Sequence, residues 1–238
     1  MMIPYKFSRE PIESKLEIVR RFYELNIHNR QKGCIDKLEH WCEKYLSNVD
    51  GKAYSLESIV CADTDELEKL TLFCDKNLKQ QYEDAELQYI ANNLYKQMTS
   101  ETKRFLFESL GVRVCPYCNR NYIFLDERNK ACEFDHFYPQ SQYPLLAASF
   151  YNLIPSCSVC NIWKGANQIS FYPHKEYLPE DMPHFGYRIK ASDYLENDES
   201  IDILIEANGF EEDIQILKLR KLYNSHKPDV RDTLMRKR

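Results

Sequence analysis

The fold of this protein is decided by the stretch Cys115–Gly165, whose sequence is CPYCNRNYIFLDERNKACEFDHFYPQSQYPLLAASFYNLIPSCSVCNIWKG. A Cys-x-x-Cys pair stands at each end of it. The four cysteines are Cys115, Cys118, Cys157 and Cys160. One tetrahedral ion can bind both thiolates of such a pair, so two pairs predict a structural zinc site. A redox disulfide and unrelated core thiols are the alternatives, but the shared spacing and a reducing cytosol favour zinc.

The segment between the two pairs is long enough to hold a structural unit of its own. It spans about forty residues, whereas common zinc ribbons have about fifteen to twenty. Its β-branched and aromatic residues predict one strand over Asn121–Leu125 and a second over Ala131–Phe137. A short helix is predicted over Ser158–Lys164, ended by Gly165. The predicted order is therefore strand, strand, helix, held at both ends by one zinc ion.

Four polar residues of this unit have the chemistry of phosphodiester hydrolysis. His136 can deprotonate water, because imidazole titrates near neutral pH. Asp135 and Asn161 offer the hard oxygen ligands that magnesium or manganese prefers. Asn152 lies between them in the sequence. Each residue alone is more often a turn or surface residue, and only the combination between two cysteine pairs indicates a nuclease site.

Two further residues are candidates for the same site. Lys164 can contact a phosphate, or it can simply occupy the last turn of the predicted helix; both interpretations stay open. His174 follows the helix and can face the metal or the substrate. The alternative for His174 is an ordinary exposed loop histidine.

The motifs as a set resemble the HNH nuclease family in its zinc-supported ββα-metal form. They are Asp135-His136, then Asn-Leu-Ile-Pro-x-Cys, then Cys-Asn-x-x-Lys-Gly. The stretch is similar in particular to the PtuB-like HNH subunits that accompany an ABC/SMC-type ATPase in Septu anti-phage systems and in some retron systems. A weaker similarity extends to Tyr-x-x-His-Lys at Tyr223–Lys227.

This resemblance implies roles for the individual residues. His136 would be the general base, and Asp135 and Asn161 would be ligands of a catalytic Mg²⁺ or Mn²⁺. Asn152 would brace the loop that carries the histidine. Many HNH proteins have histidine in place of Asn161, although the asparagine form is also common.

The resemblance also implies a biological setting. The chain would be a metal-dependent endonuclease, with DNA favoured over RNA, in an anti-phage system. A PtuA-like ATPase would hold it idle until triggered, and the retron form would add a reverse transcriptase and its nucleic acid as partners. The alternatives are a catalytically inactive zinc scaffold that binds a partner or nucleic acid, and a free-standing restriction or homing nuclease.

We expect an α+β protein that is mainly helical, in which helices flank the nuclease unit that the resemblance implies. Of 238 residues 43% are hydrophobic, and only 6 are glycine, which favours helices over a turn-rich β protein. We expect a helical region over 1–99, the zinc-bound nuclease unit over 100–175 and a mixed β/helical region over 176–238. All of the remaining five of the nine cysteines are expected to be free thiols, buried as small hydrophobic side chains. They are Cys34, Cys42, Cys61, Cys74 and Cys132.

Periodicity predicts the elements that flank the nuclease unit. Helices are predicted over Ile12–Leu25, Ile35–Leu46, Thr64–Cys74, Asp84–Met98 and Glu101–Leu110, the last with Ser100 as N-cap and Gly111 at its end. Strands are predicted over Tyr187–Lys190 and Ile201–Glu206, and a helix over Glu211–Tyr223 that pauses near Pro228 and resumes.

The charge distribution argues against strong nucleic-acid binding by the chain alone. The net charge is −5, whereas such proteins usually present a basic face. We therefore expect a partner to supply substrate binding. Lys218–Arg238 is basic and residues 180–213 are acidic, which indicates either a local DNA-contacting end or a solvated helix face. Met1–Lys15 is polar, and no apolar run is long enough to span a membrane, so a cytoplasmic location without membrane contact is expected.

Overall fold

The computed structural model describes residues 2–28, 30, 32–78, 89, 93–126 and 131–236. The described part of the chain is an α+β fold, as predicted, and it contains two small antiparallel sheets. Its N-terminal helices are α1 (Ile12–His28), α2 (Lys32–Leu46), α3 (Leu56–Val60), α4 (Thr64–Asn77) and α5 (Ser100–Leu110). The later elements are β1 (Glu133–His136), β2 (Leu153–Ser156), α6 (Ser158–Lys164), β3 (His184–Ile189), β4 (Ile201–Glu206), α7 (Glu211–Ile216), α8 (Leu219–Asn224) and α9 (Lys227–Arg236).

The N-terminal helices form where the apolar spacing predicts them. Helices α1, α2 and α4 confirm three of the predictions, each with a few more residues. The carboxylate of Asp63 accepts the backbone N–H groups of Asp65 and Glu66, at 3.0 and 2.9 Å, which explains why α4 begins where it does. The helix predicted over Asp84–Met98 lies largely outside the described residues.

Helix α5 begins one residue earlier than predicted. Thr99 has extended backbone angles, and its hydroxyl accepts the N–H of Thr102 at 3.1 Å. Ser100 is already the first helical residue, so Ser100 as N-cap was wrong and Thr99 has that role. Gly111, with φ of +62°, ends the helix as predicted.

The strand predicted over Asn121–Leu125 is not one of the strands of the sheet. That segment folds back on the first cysteine pair, where Val114 and Tyr122 form an isolated bridge and Cys115 N–H donates to the Asn121 carbonyl. The partner of β1 is instead the more distant β2, with Asp135 opposite Ile154. Strand β1 lies within the predicted second strand, and α6 has the predicted bounds.

The C-terminal region contains the two predicted strands and a helix that is interrupted. Strands β3 and β4 pair antiparallel at the two predicted places. The single helix predicted over Glu211–Tyr223 was wrong, because Lys218 has a left-handed backbone with φ of +50°. Leu217 and Leu219 on either side of it are both buried, so the turn places the apolar side chains before and after Lys218 in the core. Pro228 stands in the first turn of α9, where a helix needs no backbone donor.

The acidic and basic segments near the C-terminus pair with each other. Lys227 Nζ lies 2.9 Å from Glu199, and an Arg231 guanidinium nitrogen lies 2.6 Å from Asp198. Helix α9 has no buried residue. These pairs neutralise two of the cations expected to form a DNA-contacting end, which favours the solvated helix face.

One cluster of buried apolar side chains runs from Met2 through both halves of the chain to Leu222. The division into regions at 99 and 175 stays a prediction.

Among the helices that the structure describes, none combines the length and apolar character required to cross a bilayer.

Asp213 offers a test of how α7 holds the segment after α6. Its side chain is 1% exposed and accepts the N–H groups of Ser170 and Phe171, at 2.8 and 2.7 Å. Asp213→Ala would remove both bonds and leave the buried Phe171 N–H without an acceptor. We expect the free energy of unfolding to fall by about 2–4 kcal/mol in urea titrations. The exposed neighbour Glu212→Ala should cost less than about 0.5 kcal/mol, and equal effects of the two variants would contradict this account.

Candidate metal centre and catalytic cleft

The four predicted zinc cysteines come together in the core. All are buried, and their sulfur atoms lie within 4.8 Å of one another. A tetrahedral ion with metal–sulfur bonds of about 2.3 Å requires sulfur–sulfur separations of about 3.8 Å, so the cluster needs only a small contraction. Four thiols with no carboxylate among them suit a metal such as zinc. Within the described ranges no other group of three or more such side chains is placed to hold a metal.

The sequence around each cysteine pair shapes the backbone for this cluster. After the first pair, Asn119 takes a left-handed conformation and its N–H donates to the Cys115 carbonyl at 2.8 Å. The second pair begins helix α6, with Cys157 as its N-cap. The Asn121 side chain joins the two pairs, because its amide donates to the Cys157 sulfur at 3.2 Å.

His136 is held at the end of β1 in a single tautomer. Its Nε2 atom lies 3.0 Å from the Ala147 carbonyl oxygen. A carbonyl can only accept, so Nε2 carries the proton and Nδ1 has the basic lone pair. Burial lowers the pKa of His136 to about 4, which keeps the ring neutral at physiological pH. The Tyr95 ring packs against it edge-on, with centroids 4.7 Å apart.

Asn152 is fully buried and joins the two sides of the loop that connects β1 to β2. Its Oδ1 accepts the Tyr138 N–H at 2.7 Å, and its Nδ2 donates to the Leu146 and Tyr138 carbonyls at 2.8 and 3.2 Å. Leu146 directly precedes Ala147. The Asn152 amide therefore holds the residue that precedes the carbonyl bound by His136.

Asp135 and Lys164 form a buried ion pair behind the histidine. The Lys164 ammonium is fully buried and lies 3.1 Å from Asp135 Oδ2 and 2.7 Å from the His136 carbonyl oxygen. The Tyr117 hydroxyl donates to the same Oδ2 atom at 2.7 Å. Burial raises the pKa of Asp135, and Lys164 and Tyr117 oppose that shift. Lys164 therefore contacts the Asp135 carboxylate inside the protein and is not exposed at the surface.

Three of the predicted residues line one cleft. Asp135 is 4% exposed and reaches the cleft from β1, His136 ends the same strand, and Asn161 lies on the first turns of α6. Other residues that line it include Tyr95, Glu133 and Gly165. The cleft therefore brings together a neutral imidazole and two oxygen-bearing side chains, with Asn152 and Lys164 buried behind them.

His174 lies elsewhere. It is 5% exposed, its Nε2 lies 3.4 Å from the Leu153 carbonyl oxygen, and it packs on the rings of Tyr5 and Tyr151 at 4.9 and 5.1 Å. It lines a groove between α1 and the start of α4, not the cleft of His136. Burial among these rings lowers its pKa to about 3.

Sequence reasoning missed Tyr117 and Tyr95. Tyr117 lies inside the first cysteine pair, and nothing in a Cys-x-x-Cys spacing indicates that the side chain between the cysteines contacts a residue of a later strand. Tyr95 comes from the N-terminal half, far in sequence from the motif. Only the folded chain places these two rings beside Asp135 and His136.

The cysteine cluster predicts a strong dependence of folding on metal. Cys157→Ser should lower the bound zinc and the yield of soluble protein, because metal binding at a structural site contributes directly to folding free energy. The measurement is metal content by mass spectrometry together with the thermal midpoint. Cys34→Ser should match the wild type in both, because Cys34 lies outside the cluster. Cys34 and Cys61 are only half-buried, so the expected burial of all five remaining cysteines was wrong for these two. Normal zinc content and thermal stability in Cys157→Ser would contradict the assignment.

Comparison with known proteins identifies a partial relative. No protein-family model matches the chain, and no solved structure matches it. A segment of 94 residues is 33% identical to the Septu protein PtuB of Bacillus thuringiensis. The match covers 38% of this chain and 35% of that protein, so the chain spans about a third of the length of the relative that it matches. The similarity supports a PtuB-like relation and is consistent with a role in anti-phage defence.

Proposed function

We propose that this protein is a metal-dependent HNH-type endonuclease and the nuclease subunit of an anti-phage defence system. The observation that carries the proposal is that Asp135, His136 and Asn161 line one cleft, and that the helix which carries Asn161 also carries Cys160 of the four-cysteine cluster. The partial similarity to a Septu protein supports the defence setting.

The local topology agrees with a ββα-metal unit. Strand β1 carries Asp135 and His136, the antiparallel strand β2 follows, and α6 carries Asn161. Strand β1 and helix α6 therefore supply the three side chains of the cleft, and β2 pairs with β1 between them in the sequence. The cysteine pairs precede β1 and begin α6, so they hold the unit at both ends.

Some residues of the site would act on the substrate, and others would hold those catalytic side chains in place. His136 Nδ1 would take the proton of the attacking water, since Nε2 is committed to the Ala147 carbonyl. Oxygen atoms of Asp135 and Asn161 would hold Mg²⁺ or Mn²⁺, which suits their hard-ligand chemistry. The bound ion would supply charge stabilisation at the phosphate and the leaving oxygen. Asn152 and Lys164 would position the histidine loop and the carboxylate.

The charge of the chain supports a partner that delivers the nucleic acid. The net charge is −5, and the Lys227 and Arg231 side chains of α9 are paired with carboxylates. Phosphate contacts dominate nucleic-acid affinity, so the isolated chain should bind weakly. We propose a PtuA-like ATPase of the ABC/SMC type as that partner and DNA as the preferred substrate.

His136→Ala tests the proposed mechanism. Wild-type and variant proteins would be co-expressed with the candidate ATPase, and cleavage of DNA and RNA measured with Mg²⁺ or Mn²⁺ and with EDTA. We expect the substitution to lower cleavage at least about 100-fold, because a general base contributes on that scale. Zinc content and thermal midpoint should be unchanged. His184→Ala, at an exposed histidine that begins β3, should cleave like the wild type.

Two results would contradict the proposal. Equal cleavage by wild type and His136→Ala would place the activity elsewhere. Absence of cleavage by the wild type while both proteins bind the ATPase would favour the inactive zinc scaffold. One observation points toward that scaffold, namely that Asp135 is already paired with Lys164.

A further inference from the structure

We propose that Tyr117 is a positioning residue for the catalytic ion: from inside the first cysteine pair, its hydroxyl orients Asp135. This inference rests on the proposed function, because it takes Asp135 as a ligand of the divalent ion. It adds a role for the four-cysteine cluster beyond stability. The cluster would set the geometry, and hence the metal affinity, of a site that contains none of its ligands.

The contact between Tyr117 and Asp135 has the features of a strong hydrogen bond. The hydroxyl lies 2.7 Å from Asp135 Oδ2, and both side chains are buried. Hydrogen bonds to a carboxylate are shorter and stronger than those between neutral groups, and this one is shielded from water. The Tyr117 ring is fully enclosed, so its hydroxyl has little freedom to move away from Asp135.

The backbone of Tyr117 is fixed by the cysteine cluster. Its neighbours Cys115 and Cys118 both contribute sulfur atoms to the cluster. The Asn119 N–H closes this turn on the Cys115 carbonyl at 2.8 Å. A change in the occupancy of the cluster would therefore move the Tyr117 hydroxyl, and Asp135 with it.

The second cysteine pair delivers a donor to the same carboxylate. Lys164 ends α6, the helix that begins at Cys157, and its ammonium lies 3.1 Å from Asp135 Oδ2. Each cysteine pair thus holds the element that carries one donor to Asp135. Tyr117 donates to Oδ2, and the Lys164 ammonium also lies 3.3 Å from Oδ1, so rotation of the carboxylate is restricted before any ion arrives.

The contribution of such positioning contacts to metal affinity is known in magnitude. Partners that orient a metal ligand without contacting the metal change metal affinity by about 10–100-fold when they are removed. Tyr117→Phe deletes one oxygen atom and keeps the buried ring, so packing around the cysteine cluster should be retained. We expect it to raise the dissociation constant for Mn²⁺ about 10–100-fold, with no change in zinc content.

The test is calorimetric titration of Mn²⁺ into the zinc-loaded full-length protein, which requires no catalytic turnover. Tyr122→Phe is the matched control, because Tyr122 belongs to the same segment but is 79% exposed. It should bind Mn²⁺ like the wild type. Asp135→Asn is included to test the ligand assignment itself, and it should abolish or greatly weaken binding.

The variants separate failure of this inference from failure of the proposed function. If Asp135→Asn weakens Mn²⁺ binding and Tyr117→Phe does not, the positioning role is wrong and the nuclease proposal stands. If Asp135→Asn binds like the wild type, or the wild type binds no Mn²⁺, both the ligand assignment and the positioning role are wrong.

A second measurement covers the case in which Tyr117→Phe does not fold. 3-Fluorotyrosine would be placed at position 117 or at position 122 of the otherwise wild-type protein, and its ¹⁹F resonance followed during titration with Mg²⁺. The resonance at position 117 should move with the occupancy of the site, because its hydroxyl contacts a metal ligand. The resonance at position 122 should not move. A resonance at position 117 that Mg²⁺ leaves unchanged would overturn the proposal.

Discussion

The convergence of four thiols on one point is the constraint on which the rest of this structure depends. It joins a turn at Cys115–Cys118 to a helix that begins at Cys157, across about forty residues of intervening chain. Closing a loop of that length costs conformational entropy that a two-stranded sheet alone offsets poorly. Metal binding at the cluster would supply that stabilisation, and it would fix the ends of the segment that contains the candidate catalytic residues.

The cleft is built on polar interactions that the protein keeps away from water. Asp135, Lys164 and Asn152 are all buried, and each has partners at hydrogen-bonding distance. An unpaired charge at the Asp135 position would be costly, and the Lys164 ammonium together with the Tyr117 hydroxyl reduces that cost. The same pairs restrict the motion of the side chains next to His136. Stability and preorganisation of the site therefore depend on the same few contacts.

The C-terminal region is connected to the cysteine cluster by polar contacts. The Tyr223 hydroxyl donates to the Cys118 carbonyl, and the Arg120 guanidinium donates to His226 Nε2. His226 in turn is bound by Asp229 through Nδ1, at 2.6 Å. These contacts explain the Tyr-x-x-His-Lys motif, whose sequence similarity alone is weak. Its tyrosine and histidine attach α8 and α9 to the segment of the first cysteine pair.

Local chemistry in the sequence determined the cluster, the main helices and the candidate residues. These features can be recognised in a single sequence because each depends only on residues a few positions apart. They are the Cys-x-x-Cys spacing, the apolar periodicity and the Asp135-His136 dipeptide. Tertiary structure decided three other features. Strand β1 pairs with β2 and not with Asn121–Leu125, Lys164 is buried against Asp135, and His174 lies away from the cleft. Each of these features depends on which distant segments meet in the core, and no local sequence pattern encodes those contacts. Tyr117 combines the two levels: its place between two cysteines is visible in the sequence, but its bond to Asp135 exists only because the cysteine cluster and the sheet share one core.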